Sequence, residues 1–278
     1  MNQMSASGKT GAEEHATRLT YVGHGTVLIE MDGLRLLVDP LLRRWIGPLV
    51  RRTPRPHPEL LRNLDAVLIT HLHIDHLDVP SLRLLDGDPV ILIPDHGVDL
   101  LRRRGYRRTI GMVRGTETPI GPVSVTATYA FHSGRRRPAS RAGDALGFVV
   151  RGSHSIYVAG DTGLFAGMAE LAQDLDVACL PIDGWGPRLP KDHLSPLTAA
   201  KALALLRPRI AIPIHWGTYF VPGLRQLRGG GIELPPRDFV RYAEQFAPQV
   251  EVHLLEPGTW LELPTRRPAS VPSRRQSR

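Results

Sequence analysis

The segment that most constrains this chain is Thr70-His-Leu-His-Ile-Asp-His76, which directly follows the apolar run from Ala66 to Ile69. A short apolar run bounded by polar residues predicts a buried β-strand, so the histidines and the aspartate are expected at a strand end. Imidazoles and a carboxylate spaced this closely can bind one ion, and they suit zinc, iron or manganese better than calcium. The alternative is a polar turn that leaves a sheet, in a chain that contains 12 histidines.

Four later segments each place a possible metal ligand just after a strand-like run. They are Phe131-His132-Ser-Gly134, Ala159-Gly-Asp161-Thr-Gly163, Asp192-His193 and Pro213-Ile-His215-Trp-Gly-Thr218. Loops of this kind converge at one end of a sheet, and the glycines beside Asp161 and His215 permit a close approach of the backbone. The five segments together therefore predict one polar site.

The order of the remaining elements predicts β-sheets packed face to face, with helices outside. Strands are predicted at 18–22, 26–31, 34–38, 66–69, 90–93, 123–128, 147–150, 155–159, 177–182 and 210–214. Helices are predicted at 95–104, near 165–173 and at 196–206, where Ser195 offers an N-cap before Pro196. No linker separates two domains. Residues 18–264 are therefore predicted to form a single domain between a flexible N-terminus (1–17) and a flexible basic C-terminus (265–278).

Composition limits the class of protein. With 278 residues, 42% of them hydrophobic, the chain can bury a substantial core, yet its apolar runs are far shorter than the ~20 residues of a membrane span. The N-terminal sequence lacks the apolar region of a secretory signal, so a cytoplasmic location is expected. The single cysteine, Cys179, lies in a strand-like run and is expected in the core.

The formal net charge of +8 comes largely from clusters of arginine. Basic runs can bind nucleic acid, but here no interleaved aromatic residues or helix-turn-helix pattern accompany them. We therefore expect no stable nucleic-acid partner. No sequence feature specifies an oligomeric state.

The ordered set His71-Leu-His73-Ile-Asp75-His76, His132, Asp161 and His215 resembles the motifs of the metallo-β-lactamase superfamily, over about residues 18 to 262. The resemblance implies an α+β fold, a four-layer αββα sandwich of two mixed β-sheets with helices on the outer faces. The segments 21–29, 38–40, 157–162 and 213–218 resemble one branch of that superfamily. This branch contains L-ascorbate 6-phosphate lactonase and the phospholipase D that hydrolyses N-acyl-phosphatidylethanolamine.

The resemblance also implies a set of ligands for two divalent metal ions, with zinc expected and manganese or iron as alternatives. One ion is held by His71, His73 and His132, the other by Asp75, His76 and His215, and Asp161 bridges them. Asp75 and His193 are the residues expected to act in catalysis. Two ions ~3.5–4 Å apart would activate a hydroxide and polarise the substrate oxygen. The expected activity is hydrolysis of a phosphodiester or of a lactone or other cyclic ester, in an anionic small molecule or lipid.

Further residues are expected around the ligands or the substrate: Asp39, His24, Arg135, Arg136, Trp185 and Trp216. Asp39 could orient a ligand imidazole, and the two arginines could attract a phosphate or carboxylate. Each has an ordinary alternative, as a turn residue, a solvated hairpin or, for the tryptophans, a core residue. Two other functions remain open, a non-catalytic metal-binding module and a nuclease-type phosphodiesterase of the same superfamily.

Overall fold

The structure, a computed structural model, describes residues 16–134, 136, 143–171, 174–184, 189–222 and 234–264. In this part of the chain the strands are β1 (Thr17–Gly23), β2 (Thr26–Met31), β3 (Leu34–Val38), β4 (Trp45–Ile46), β5 (Leu49–Arg51), β6 (Ala66–Leu68), β7 (Val90–Pro94), β8 (Thr109–Met112), β9 (Glu117–Ile120), β10 (Val123–Ser133), β11 (Asp144–Arg151), β12 (Ser155–Val158), β13 (Val177–Pro181), β14 (Ile210–Ile214), β15 (Tyr219–Phe220), β16 (Glu251–Val252) and β17 (Trp260–Leu263). The helices are α1 (Val79–Leu82), α2 (Val98–Arg102), α3 (Pro196–Leu206) and α4 (Leu234–Phe246), and short 3₁₀ turns lie at Pro58–Leu61, Asp95–Gly97 and Ala166–Glu170.

The strands form two large mixed sheets and a small third one. The first sheet has the order β17-β1-β2-β3-β6-β7-β8 and the second has the order β16-β14-β13-β12-β11-β10-β9, while β15, β5 and β4 form the third. In the first sheet β17 to β3 pair antiparallel and β3 to β8 pair parallel. The second sheet repeats this division, antiparallel from β9 to β12 and parallel from β12 to β16.

Alternation along the strands explains the layers. Successive strand residues point to opposite faces, so Leu68 of β6 joins the core between the two sheets, where it shares one cluster with Phe148 of β11. Val67 points the other way and packs in a second cluster with Ile91 of β7 and Leu101 of α2. On the other side α3 and α4 contact each other, and α3 contacts β13. The predicted sandwich of two mixed sheets with helices outside is confirmed.

Strand direction brings the predicted site together. In the first sheet β3 and β6 are parallel, so the segments after them leave the same edge. In the second sheet β10 and β12 point the same way, because each is antiparallel to β11, and β14 lies parallel to β12 through β13. The two edges meet where Leu146 N donates to Thr70 O over 2.9 Å.

Some elements differ in extent from the sequence expectations. The helix predicted at 95–104 is a 3₁₀ turn followed by the short α2, and only a 3₁₀ turn is described in the region predicted at 165–173, of which 172–173 lie outside the described residues. Strand β10 runs five residues beyond its predicted end, which puts His132 on the strand itself. Strand β1 begins at Thr17, which is buried and pairs with Leu263. Among the described helices, none has the length and apolar character needed to cross a bilayer.

Candidate metal centre

Three histidines form the first half of the site. His71 and His73 lie in the loop after β6 and His132 lies near the end of β10. His71 Nε2 is 3.0 Å from His73 Nδ1, which is 3.1 Å from His132 Nε2. Ligands ~2.05 Å from one ion in a tetrahedron are ~3.3 Å apart, so these spacings suit a shared ion. Burial lowers the pKa of all three imidazoles, to about 4 for His73, and thus keeps their lone pairs available for a metal.

The second half combines two histidines with an aspartate. His76 Nε2 and His215 Nε2 are 3.3 Å apart, and Asp75 Oδ2 lies 3.9 Å and 3.8 Å from them. All three side chains are buried. Burial opposes ionisation of Asp75, but a hydrogen bond from His24 and the nearby His76 outweigh it and hold the pKa of Asp75 below its usual range.

Asp161, in the loop after β12, lies between the two halves. Its Oδ2 is 3.2 Å from His76 Nε2 and 3.9 Å from His71 Nε2, while its Oδ1 is 3.4 Å from His215 Nε2. Burial would raise its pKa, but His215 and His76 hold the pKa of Asp161 well below the usual range, so the carboxylate is ionised. Its Oδ1 is buried and accepts no hydrogen bond from the described residues. A buried carboxylate oxygen that accepts no hydrogen bond is costly, and a cation at this point would remove the cost.

The loop of Asp161 needs a glycine. Gly160 has φ +61°, in the left-handed region, and a Cβ at this position would lie 2.7 Å from Thr70 Cβ. Thr70 directly precedes the histidine motif. The absence of a side chain at Gly160 therefore lets Asp161 approach the histidines that follow β6.

In four of the candidate ligand imidazoles, the ring nitrogen that faces away from the centre contacts a neighbouring polar group. His71 Nδ1 lies 3.0 Å from Thr70 Oγ1, and His76 Nδ1 lies 2.8 Å from Asp39 Oδ2. His132 Nδ1 donates to the carbonyl of Asp192 over 3.1 Å, and His215 Nδ1 donates to the carbonyl of Asp183 over 3.0 Å. The carbonyl partners fix the tautomers of His132 and His215, which leaves Nε2 of each facing the centre.

Asp39 also connects the imidazole of His76 to the backbone at the start of the motif loop. Its Oδ1 accepts from Thr70 N over 2.8 Å and its Oδ2 accepts from Thr70 Oγ1 over 2.6 Å. Asp39 was expected from the sequence to orient a ligand imidazole. Thr70, Asp183 and Asp192 were not expected to do so, and two of them act through backbone carbonyls, which carry no sequence signal.

His24 lies against the second half of the site. Its Nε2 is 3.0 Å from Asp75 Oδ2, and its ring centroid is 3.9 Å from that of His215. The backbone pairs the same two loops, because His215 N donates to His24 O over 2.7 Å. Burial lowers the pKa of His24 to about 4, so at neutral pH the imidazole is uncharged and donates its single N–H to Asp75.

His193 lies at the edge of the site, on the loop that leads into α3. Its Nε2 is 3.4 Å from Asp161 Oδ2, its Nδ1 is 3.2 Å from Asp192 Oδ1, and the side chain is 18% exposed. Burial lowers its pKa, but the carboxylates of Asp161 and Asp192 outweigh that effect and raise the pKa of His193 above the ordinary value.

The remaining predicted residues have different positions. Arg136 donates from Nη1 to Leu72 O (3.1 Å) and to Leu77 O (2.8 Å), so it contacts the backbone within the motif and directly after it. Trp216 is buried in the core, where its ring stacks on Tyr21 at 6.3 Å, which is the second of the two roles considered for it. Arg135 and Trp185 lie outside the described residues.

Comparison with known proteins agrees with this geometry. The profile of the beta-lactamase superfamily domain matches residues 34–216. A UPF0173 metal-dependent hydrolase of Caldivirga maquilingensis is 34% identical over 253 residues, which cover 89% of this chain and 99% of the relative. One of Methanopyrus kandleri is 33% identical over 248 residues, with 87% and 97% covered.

A solved structure is similar over nearly the whole chain. Igni18, a metallo hydrolase from Ignicoccus hospitalis, superposes with a TM-score of 0.69 at 25% identity and covers 91% of this chain and 100% of that one. CmlA, a diiron β-hydroxylase from Streptomyces venezuelae, has a TM-score of 0.68 at 19% identity over 89% of this chain and 54% of its own, a likeness of fold. With its profile match, its relatives and its clustered histidines and aspartates, the chain belongs to the metallo-β-lactamase superfamily and, within it, to the UPF0173 family of metal-dependent hydrolases.

Proposed function

We propose that this chain is a two-metal hydrolase. In this proposal one ion is bound by His71, His73 and His132, the second by Asp75, His76 and His215, and both by Asp161. The observation that carries the proposal is the position of Asp161, whose two carboxylate oxygens approach both halves of the site while Oδ1 accepts no hydrogen bond from the described residues. The donor set fits, since imidazole nitrogens and ionised carboxylates are ligands that bind divalent ions.

Bound ions would supply a nucleophilic water of lowered pKa and polarise a substrate oxygen. The chain supplies the remaining functions. His193 Nε2 faces Asp161 from the partly exposed edge of the site, where an imidazole can give a proton to a leaving group or donate to a developing oxyanion. Asp39, Thr70 and the carbonyls of Asp183 and Asp192 hold the ligand rings in place.

The substrate class in this proposal is an anionic phosphodiester, or a lactone or other cyclic ester. Support comes from the resemblance of the segments around His24, Asp39, Asp161 and His215 to the lactonase and phospholipase D branch. Zinc is the proposed metal. Because imidazole and carboxylate also suit manganese and iron, and a diiron enzyme shares the fold, metal content is part of the test.

A non-catalytic metal-binding module is the competing function. A binding module would need only the seven proposed metal ligands and no catalytic residue beside them. His193 lies beyond that set, yet its ring edge points at the carboxylate between the two halves, and this arrangement favours catalysis.

The proposal is tested with Asp161→Ala. Purified wild type should contain two divalent ions per chain and hydrolyse at least one of bis(4-nitrophenyl) phosphate, an aliphatic lactone and a chromogenic β-lactam. The variant should lose part of its metal and at least ~100-fold in turnover, because it loses the ligand common to both ions.

Asp88→Ala is the matched control, since Asp88 is exposed and remote from the ligand motifs. A variant at Asp161 that kept both ions and near-normal turnover would overturn the two-metal assignment. Two tightly bound ions in wild type without hydrolysis of any probe would favour the binding module.

A further inference from the structure

Asp192 contacts two site histidines with one carboxylate, a role that nothing in the motif pattern assigns to it. Its Oδ2 is 3.1 Å from His132 Nδ1 and its Oδ1 is 3.2 Å from His193 Nδ1. The two rings meet edge to face, with centroids 4.6 Å apart. A single side chain, 31% exposed, therefore touches both a proposed ligand and the proposed catalytic imidazole.

The two histidines depend on this carboxylate to different degrees. His132 Nδ1 also has the carbonyl of Asp192 at 3.1 Å, so its orientation is maintained by the backbone without the side chain. For Nδ1 of His193, the Asp192 carboxylate is the partner that the structure gives. Loss of the carboxylate should therefore affect His193 much more than His132.

Backbone packing holds this segment against the metal centre. His193 N donates to Pro190 O over 3.1 Å in a turn, and Ser195, the N-cap of α3, follows two residues later. A Cβ at Gly163 would lie 2.4 Å from Lys191 O, so the missing side chain lets this turn approach the loop of Asp161. Backbone contacts therefore fix the position of the turn. The rotation and the tautomer of the His193 ring are left to be fixed by the side chain of Asp192.

We propose that Asp192 is a positioning residue that binds Nδ1–H of His193 and thereby directs Nε2 of that ring to the metal centre. An imidazole held through Nδ1 by a carboxylate keeps Nε2 available, as a lone pair or as a donor, on the side of the substrate. This inference rests on the proposed function only for its effect on turnover. The orientation of the ring can be measured without any substrate.

The kinetic test uses Asp192→Asn, Asp192→Glu, His193→Ala and the double variant Asp192→Asn/His193→Ala, with bis(4-nitrophenyl) phosphate and a lactone as probes. His193→Ala should lower turnover ~10²-fold without loss of metal. Asp192→Asn should lower turnover ~10–100-fold with the Michaelis constant nearly unchanged, and Asp192→Glu should recover part of the loss. In the double variant Asp192→Asn should cause no further loss, because it acts through His193.

The chain offers a control in Asp95-His96, the same dipeptide in the turn after β7, where His96 Nε2 lies 3.3 Å from the carbonyl of Gly134 and not against a proposed ligand. Asp95 is largely exposed and its Oδ1 is 3.7 Å from His96 Nδ1. Asp95→Asn should leave turnover and metal content unchanged. Additive losses in the double variant, loss of metal in Asp192→Asn, or wild-type turnover in Asp192→Asn would each overturn the proposal.

The second readout is nitrogen NMR of the metal-loaded full-length chain labelled at histidine, with His193 identified from its missing signals in His193→Ala. In wild type His193 should give the spectrum of an imidazole protonated at Nδ1 or at both nitrogens. Asp192→Asn should change the tautomer or broaden the signals, while Asp95→Asn should not. If no probe is hydrolysed, the two-metal hydrolase proposal fails and the NMR result alone decides the role of Asp192, with an unchanged His193 spectrum counting against it.

Discussion

At the scale of single residues, the site is marked by an unusual backbone. His24, Asp39 and His215 have φ values of +56°, +42° and +63°, in the left-handed region that residues other than glycine seldom adopt. Such a conformation costs on the order of 1–3 kcal/mol and persists where the surroundings impose it. Here the backbone bond between His215 and His24 and the bonds from Thr70 to Asp39 supply the constraint. The three side chains consequently leave their loops in the direction of the metal centre.

Asp39→Asn tests whether this arrangement serves the metal. Both residues tolerate a left-handed backbone, so the substitution leaves the turn intact and changes one oxygen to an N–H donor. Asp39 accepts two hydrogen bonds from Thr70 and lies 2.8 Å from His76 Nδ1. The asparagine of the variant has one acceptor oxygen fewer, so one of these three contacts is lost. We expect the affinity for one ion to fall ~10–100-fold, measured by competition with a chelator. Asp88→Asn should not change the affinity, and an unchanged affinity in Asp39→Asn would limit Asp39 to supporting the loop backbone.

At the scale of elements, α3 connects to the edge of the site through His193, which lies two residues before the N-cap of the helix. Ser195 Oγ accepts from Thr198 N over 3.3 Å, and Thr198 Oγ1 accepts from Ser195 N over 2.7 Å, which forms a capping box. The box fixes where the helix begins, and therefore where His193, two residues earlier, leaves it. Ser195 and Pro196 were recognised in the sequence as a helix start, and this prediction is confirmed.

Ser195→Ala should lower the free energy of unfolding by about 1 kcal/mol, the usual cost of losing an N-cap, as measured by urea denaturation. Thr198→Val removes the reciprocal bond, and the double variant should be less destabilised than the sum of the two, because both belong to one box. Metal content should stay the same in all three. Additive losses would mean that the two side chains act independently.

At the scale of the whole molecule, the central strands and the residues that cluster in the candidate site could be predicted from the sequence for the same reason. Strands such as β6 and β14 are continuous apolar runs, and His71 and His215 follow them closely, so local patterns carry the information. The two-residue strands β4, β15 and β16 were not predicted, because they are strands only through pairing with distant residues. Helix α4 was also missed, although its amphipathic sequence was available.

The parts of the site that escaped prediction are those that depend on tertiary packing. No pattern in the sequence indicates that the carbonyl of Asp183 meets His215, or that Asp192 lies between two imidazoles. The same holds for the left-handed conformation of His24, which precedes a glycine but is not one. Local sequence thus indicates the candidate ligands, while the groups that orient them are brought together only by the assembled sheets.

The cysteine provides a probe of the whole assembly. Cys179 lies on β13, which pairs with β12 and β14 in the second sheet, and it is completely buried. Burial raises the pKa of its thiol to about 12, so in the folded chain it is both inaccessible and protonated. We expect the native protein to resist a disulfide reagent at mildly alkaline pH, and the chain unfolded in guanidinium chloride to react at its single thiol.

In moderate urea, where labelling follows the population of opened molecules, metal should slow the reaction. An ion that binds the folded state alone stabilises it by about 2.7 kcal/mol at 100 times its Kd, so a chelator should accelerate labelling by ~100-fold for each site emptied. Asp161→Ala should label faster than wild type in the presence of metal, and as fast as chelated wild type if both sites are lost. Because the thiol lies in the core and contacts no proposed ligand, this coupling can arise only if the ions stabilise the packed pair of sheets. Rapid labelling of the native chain would place Cys179 outside the core, and a rate that does not respond to the chelator would show that folding and metal binding are independent.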